Sequence, residues 1–139
     1  MDYTYYNGTE SFGNARDLKL ATIRDSAGSA IDTSYYRYYT PGETNGYTGG
    51  LKFVLSDPAF AQATAALGNV TTATNSQLSV YADNYFEYDS QHRVTKEIAS
   101  GAGCSACSGG QGTYTFAYTA STFPASLDLW RTKTVETLP

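Results

Sequence analysis

The residues with the clearest chemical potential are Cys104 and Cys107, three positions apart in Cys104-Ser105-Ala106-Cys107 and surrounded by glycines. A structural zinc site takes four ligands, two such pairs or one pair with two histidines. This chain offers one pair and one histidine, His92. A redox dithiol needs a strand-to-helix setting in which the helix N-terminus lowers the thiol pKa. The setting Gly101-Ala102-Gly103 before the pair and Ser108-Gly109-Gly110 after it supplies no helix. The expectation is a disulfide between Cys104 and Cys107, formed in an oxidising compartment. So short a ring saves little chain entropy, and its effect is local rigidity.

The other candidates for catalysis or metal binding are thin. His92 falls in a predicted turn beside Arg93, with no nucleophile-elbow motif to supply a serine partner, and reads as a solvated turn residue. Asp83, Glu87 and Asp89 are close enough in sequence to share a calcium ion with main-chain carbonyls, but no calcium-loop spacing is present. No pair of carboxylates is marked out for glycoside hydrolysis. The expectation is a protein without catalysis, cofactor or metal.

What the sequence does repeat is a setting for lysine. Its four lysines stand in LKLATIRD (Lys19), LKFVLSDP (Lys52), TKEIASGA (Lys96) and TKTVETLP (Lys133). Each opens a short β-prone run, and each follows an aromatic run: Tyr3-Thr4-Tyr5-Tyr6, Tyr35-Tyr36-Arg37-Tyr38-Tyr39, Tyr85-Phe86-Glu87-Tyr88 and Tyr114-Thr115-Phe116-Ala117-Tyr118. Asn7-Gly8, Pro41-Gly42, Asp89-Ser90 and Thr119-Ala120-Ser121 lie between the two runs as turn residues. Aromatic strand, turn, lysine strand is the pattern of a β-hairpin. The chain therefore reads as one all-β domain of four serial antiparallel hairpins, at about 1–32, 33–80, 81–112 and 113–139, forming a twisted sheet or spiral. The lysines are expected at equivalent places on four strands, their ammonium groups solvated or paired with acids. One helix interrupts the series. Asp57 as N-cap, Pro58 at the first helical position and Gly68 as stop bound a helix at 58–67, with Phe60, Ala63, Ala66 and Leu67 on its buried side.

Composition agrees with strands. Only 23 of the 139 residues are Leu, Ile, Val or Phe, so the 13 tyrosines must supply much of the buried area. A cytosolic enzyme with a deep aliphatic core does not fit this mixture. A formal charge of −4 gives no footprint for nucleic acid. No apolar run approaches a membrane span, and Met1-Asp2-Tyr3 does not open a signal peptide.

The third hairpin carries a resemblance. Tyr85-Phe86-Glu87-Tyr88-Asp89-Ser90-Gln91-His92-Arg93-Val94 resembles the tyrosine–aspartate (YD) repeat of Rhs-type proteins, whose pattern is Y-x-Y-D-x-x-G-R-L. Tyr88-Asp89 match the name-giving pair, Arg93-Val94 match the Arg-Leu, and His92 stands at the place of the usual glycine. The other hairpins keep the aromatic run and the lysine strand as looser variants. The resemblance implies β-spirals or hollow β-shells in secreted and surface-attached bacterial proteins. This chain would be a stretch of wall, since neither a self-cleavage signature nor a toxin-like segment is present.

Asn7-Gly8-Thr9 and Asn69-Val70-Thr71 are glycosylation sequons at predicted loops, with Asn7 and Asn69 the acceptors. Four hairpins with irregular loops do not close a barrel, so the sheet is expected to keep open edges, Tyr3, Tyr5 and Tyr6 at one and Lys133 and Val135 at the other. The function expected is that of an extracellular or cell-surface structural unit, joined to copies of itself head to tail or to neighbouring repeats of a longer chain. The alternative is an adhesion module that binds surface glycans through exposed tyrosines.

Overall fold

Alternating aromatic runs leave little room for anything but strands, and the computed structural model has eight of them among the described residues. It describes residues 1–102, 110–121 and 131–139, so the cysteine pair lies outside the described residues. The strands are β1 (Asp2–Tyr5), β2 (Leu18–Arg24), β3 (Ala30–Tyr38), β4 (Leu51–Leu55), β5 (Asn84–Tyr88), β6 (Val94–Ser100), β7 (Gln111–Ala120) and β8 (Thr132–Thr137). They form one antiparallel sheet in strict chain order, a meander of four hairpins with β1 and β8 at its edges. The last expected turn is displaced, because Thr119 and Ala120 pair with Lys133 and Thr132 inside the β7–β8 ladder.

Residues 56–83 leave the sheet between β4 and β5 and cover one of its faces. Here α1 (Asp57–Leu67) begins one residue earlier than its sequence signals suggest. Ser56 is the N-cap, and Asp57, already helical, accepts the Thr33 amide at 2.9 Å and so ties the helix start to β3. Gly68 ends the helix at φ +74°, a left-handed conformation that costs glycine little. The buried side is Ala59 and Ala63 with Phe60 packed beside them, while Ala66 is exposed. Small alanines let the helix approach the sheet closely. A second helix, α2 (Asn75–Leu78), was not expected; Thr74 and Gln77 cap each other reciprocally at its start.

The core lies under this insert. Tyr35, Phe53 and Leu55 come from β3 and β4, and Ala59, Ala63, Val70, Leu78 and Ala82 come from the insert. Cross-strand register puts Tyr35 opposite Leu55, and Phe53 opposite both Arg37 and Tyr85, all on the covered face. Tyr36, Phe86, Tyr114, Phe116 and Tyr118 fall on the opposite, open face.

Candidate functional site

The first two hairpins share a device that their lysines only hint at. The β1–β2 loop and the β3–β4 loop each run 12 residues, 6–17 and 39–50, and close alike. Tyr6 N–H donates to the Asp17 carbonyl and Arg16 N–H returns to the Tyr6 carbonyl; Tyr39 with Gly50 and Gly49 with Tyr39 repeat this, all at 2.8–2.9 Å. Inside each loop a glutamate accepts a main-chain N–H three residues back, from Asn7 to Glu10 and from Thr40 to Glu43. The same glutamate then receives the lysine nine residues on, Lys19 or Lys52. Each ammonium also stands over the loop tyrosine, 5.4 Å from the Tyr6 centroid and 4.8 Å from that of Tyr39.

Those two tyrosines are the centre of the device. Tyr6 and Tyr39 are 3% and 1% exposed, so Tyr6 is a core residue, a correction to its expected place at an open edge. Gly13 and Gly46 lie flat against the two rings, and a Cβ at either would come within 2.3 Å of ring carbon. Each hydroxyl skips one strand and donates to a carbonyl on the next: Tyr6 to Tyr36 on β3 at 2.8 Å, Tyr39 to Phe86 on β5 at 2.7 Å. Burial holds both phenols far above the ordinary tyrosine pKa, so they remain donors. The underlying sequence is Tyr-x3-Glu-x2-Gly-x4-Leu-Lys, recurring after 33 residues at 6–19 and 39–52.

In the third hairpin a short turn replaces the loop. Tyr88 aligns with Tyr5 and Tyr38, and Asp89 occupies the place of the buried tyrosines. The Asp89 carboxylate accepts the Gln91 and Arg93 amides and holds the Arg93 guanidinium at 2.7 Å, which keeps its pKa below the usual carboxylate range. His92 takes φ +62°, the left-handed conformation otherwise suited to glycine, and its ring stacks on Tyr47 at 3.7 Å. The lysine register slips here. Lys19 and Lys52 are the extra residues of a bulge, whereas in β6 that place belongs to Thr95, and Lys96 pairs directly with Glu87. All four lysines do sit on the second strand of their hairpins, and Lys133 is exposed on β8.

Arg37, a residue the sequence reading passed over, fastens the insert to the sheet. It is 0% exposed. Its guanidinium donates to the Val70 and Ala73 carbonyls at 2.9 and 2.7 Å, to Asn75 Oδ1 at 2.8 Å and to the Tyr35 hydroxyl at 3.0 Å. The Phe12 ring covers its other side at 3.6 Å.

The remaining candidates are dispersed. Asp83 accepts the Ser56 amide, Glu87 pairs with Lys96 and Asp89 with Arg93, so the three carboxylates are not brought together. No group of three or more metal-ligating side chains occurs among the described residues. Asn7 and Asn69 are exposed, each accepting its sequon threonine hydroxyl at 2.8 Å. A half-open cleft of about 400 Å³ lies beside α2, lined by Phe53, Val80, Tyr85, Ile98 and Gln111. Lys52, also on its wall, is paired with Glu43. At the sheet edges, Tyr3 and Tyr5 on β1 are 53% and 55% exposed, and Val135 on β8 is 44% exposed. Compared with protein-family models, curated proteins and solved structures, the chain matches none of them.

Proposed function

We propose that this chain is a non-catalytic, extracellular structural unit of a β-sheet array, extended by strand pairing at its edges into a fibre or a larger β-shell. The observation that carries this is the sheet order: among the described residues eight strands pair in chain order, and both outer strands are exposed along their whole length. A strand edge offers a row of main-chain donors and acceptors to another strand. The tyrosine–aspartate resemblance of the third hairpin supports the same reading. Light scattering on the natively produced protein at micromolar concentration, with hydrogen exchange on the same sample, tests it. Particles larger than the monomer with slow amides on β1 or β8 are expected; a monomer whose two edges exchange freely overturns the proposal.

A second reading, glycan binding, is favoured by one observation: Tyr114, Phe116 and Tyr118 line up half-buried on the open face, with Tyr3 and Tyr5 exposed at its edge. Aromatic rows of this kind can stack on sugar rings. A soluble glycan array separates the two readings.

A further inference from the structure

The two buried tyrosines show what covers an odd-numbered strand of this sheet. The Tyr36 carbonyl on β3 and the Phe86 carbonyl on β5 each receive a hydroxyl from a loop that begins two strands earlier. The register makes Tyr3 their counterpart on β1. Tyr5, Tyr38 and Tyr88 pair with Leu18, Leu51 and Val94 beside the bulge, and Tyr3, Tyr36 and Phe86 stand two residues before them. Tyr36, Phe86, Tyr38 and Tyr88 are half-buried, while Tyr3 and Tyr5 are more than half exposed. β1 therefore lacks the cover that a preceding hairpin gives to β3 and β5.

We infer that the β1 edge is the docking site for a further hairpin of the same kind as β1–β2 and β3–β4, whose loop tyrosine donates its hydroxyl to the Tyr3 carbonyl. The inference rests on the structural-unit reading and names the partner and the contact. Such a hairpin continues an interface the molecule already uses twice, at β3 and at β5. That interface also selects the partner. The chain's own β7–β8 hairpin carries Thr119 where Tyr6 and Tyr39 stand, since Tyr118 donates to Val94 as Tyr88 donates to Leu51. A threonine hydroxyl is too short to reach a carbonyl two strands away, roughly 9–10 Å at ordinary strand spacing. The docked hairpin must bring a loop of the Tyr-x3-Glu-x2-Gly-x4-Leu-Lys type.

The test extends the whole chain by placing a second copy of residues 2–33 ahead of Met1, which reproduces the 33-residue spacing of Tyr6 and Tyr39. Amide exchange at Tyr3, Thr4 and Tyr5 should slow by roughly tenfold or more as this strand leaves the fraying end of the sheet. Tyr6→Phe in the added copy should reverse much of that protection. Tyr39→Phe in the unextended protein should lower its thermal midpoint, which keeps the latch testable if the extension does not fold. β1 amides as fast as in the unextended chain, an added Tyr6→Phe without effect, or a silent Tyr39→Phe each overturn the inference. Native particles protected at β8 but not at β1 overturn it while leaving the structural-unit reading intact; a freely exchanging monomer removes that reading itself.

Discussion

A guanidinium with no exposed surface and, among the described residues, no ion-pair partner is held by neutral acceptors, and at Arg37 most of these come from the insert. Replacing it with methionine leaves the Val70 and Ala73 carbonyls buried without donors. Arg37→Met should cost about 3 kcal/mol in a chemical denaturation series, since each stranded acceptor costs roughly 1–3 kcal/mol. Gly46 makes a different demand, because a methyl there would enter the Tyr39 ring. Gly46→Ala should lose roughly 1–3 kcal/mol by overpacking, and Gly13→Ala should do the same at Tyr6. Neither role was equally legible beforehand. The glycine, tyrosine, glutamate and lysine recur at matching spacing, so the loop device was readable by aligning 6–19 with 39–52. Following lysine alone missed it. Arg37 gave no such signal: its insert partners lie 33 to 38 residues onward and depend on how the insert packs.

Strands were the most legible elements because aromatic alternation marks all four hairpins and turn residues agree with it locally in the first three, whereas Thr119 and Ala120 of the fourth pair inside the β7–β8 ladder. The edges of α1 were less so. Ser56 and Asp57 are both competent caps by type, and the Asp57 bond to Thr33 is a tertiary contact that fixes which one is used. The Thr74-x-x-Gln77 pair did announce α2, but a single turn is too short to show apolar periodicity. At this scale the hairpin loops and the third turn share an acidic anchor, and so a pH dependence. Lys19 holds Glu10 below its ordinary value, and Arg93 does so for Asp89. Burial raises Glu43, but Lys52 and the Thr40 amide outweigh it. A carboxyl with a depressed folded pKa contributes its stability above the unfolded pKa, here the ordinary values of 4.5 for glutamate and 3.8 for aspartate. That contribution is lost as pH falls through the folded values, because the unfolded chain takes up protons first. Thermal midpoints should therefore be flat from neutrality down to about pH 5 and decline below it. Glu10→Gln with Glu43→Gln should flatten the decline, and an unchanged profile would reject these pairs as its source.

Across the whole molecule, stability should run in a gradient along the sheet. Each strand touches its chain neighbours, as in a repeat array, so local openings can propagate from an edge inward. The insert breaks the uniformity, because α1 packs on β3 and β4 and the core gathers there. β5 is tied into the same region by the Tyr39 hydroxyl and by Tyr85 against Phe53. Beyond it the cover thins to the start of β7, where Gln111 donates to the Ser79 carbonyl of the insert at 3.2 Å. Thr113, Thr115, Ala117 and Thr119 of β7 are exposed on the face the helices would occupy, and β8 is exposed at every residue. These strands keep a full ladder of hydrogen bonds with little buried apolar surface, a combination that opens at low cost. Hydrogen exchange on the isolated monomer should accordingly find the slowest amides on β3 and β4, intermediate ones on β2, β5 and β6, and the fastest on β1, β7 and β8. Mild denaturant should release β7 and β8 before the Tyr35–Phe53 core, so near-ultraviolet signals from the buried tyrosines should persist after part of the strand signal is lost. A single cooperative loss of protection from β1 to β8 would show instead that the insert's stabilisation reaches the far edge of the sheet.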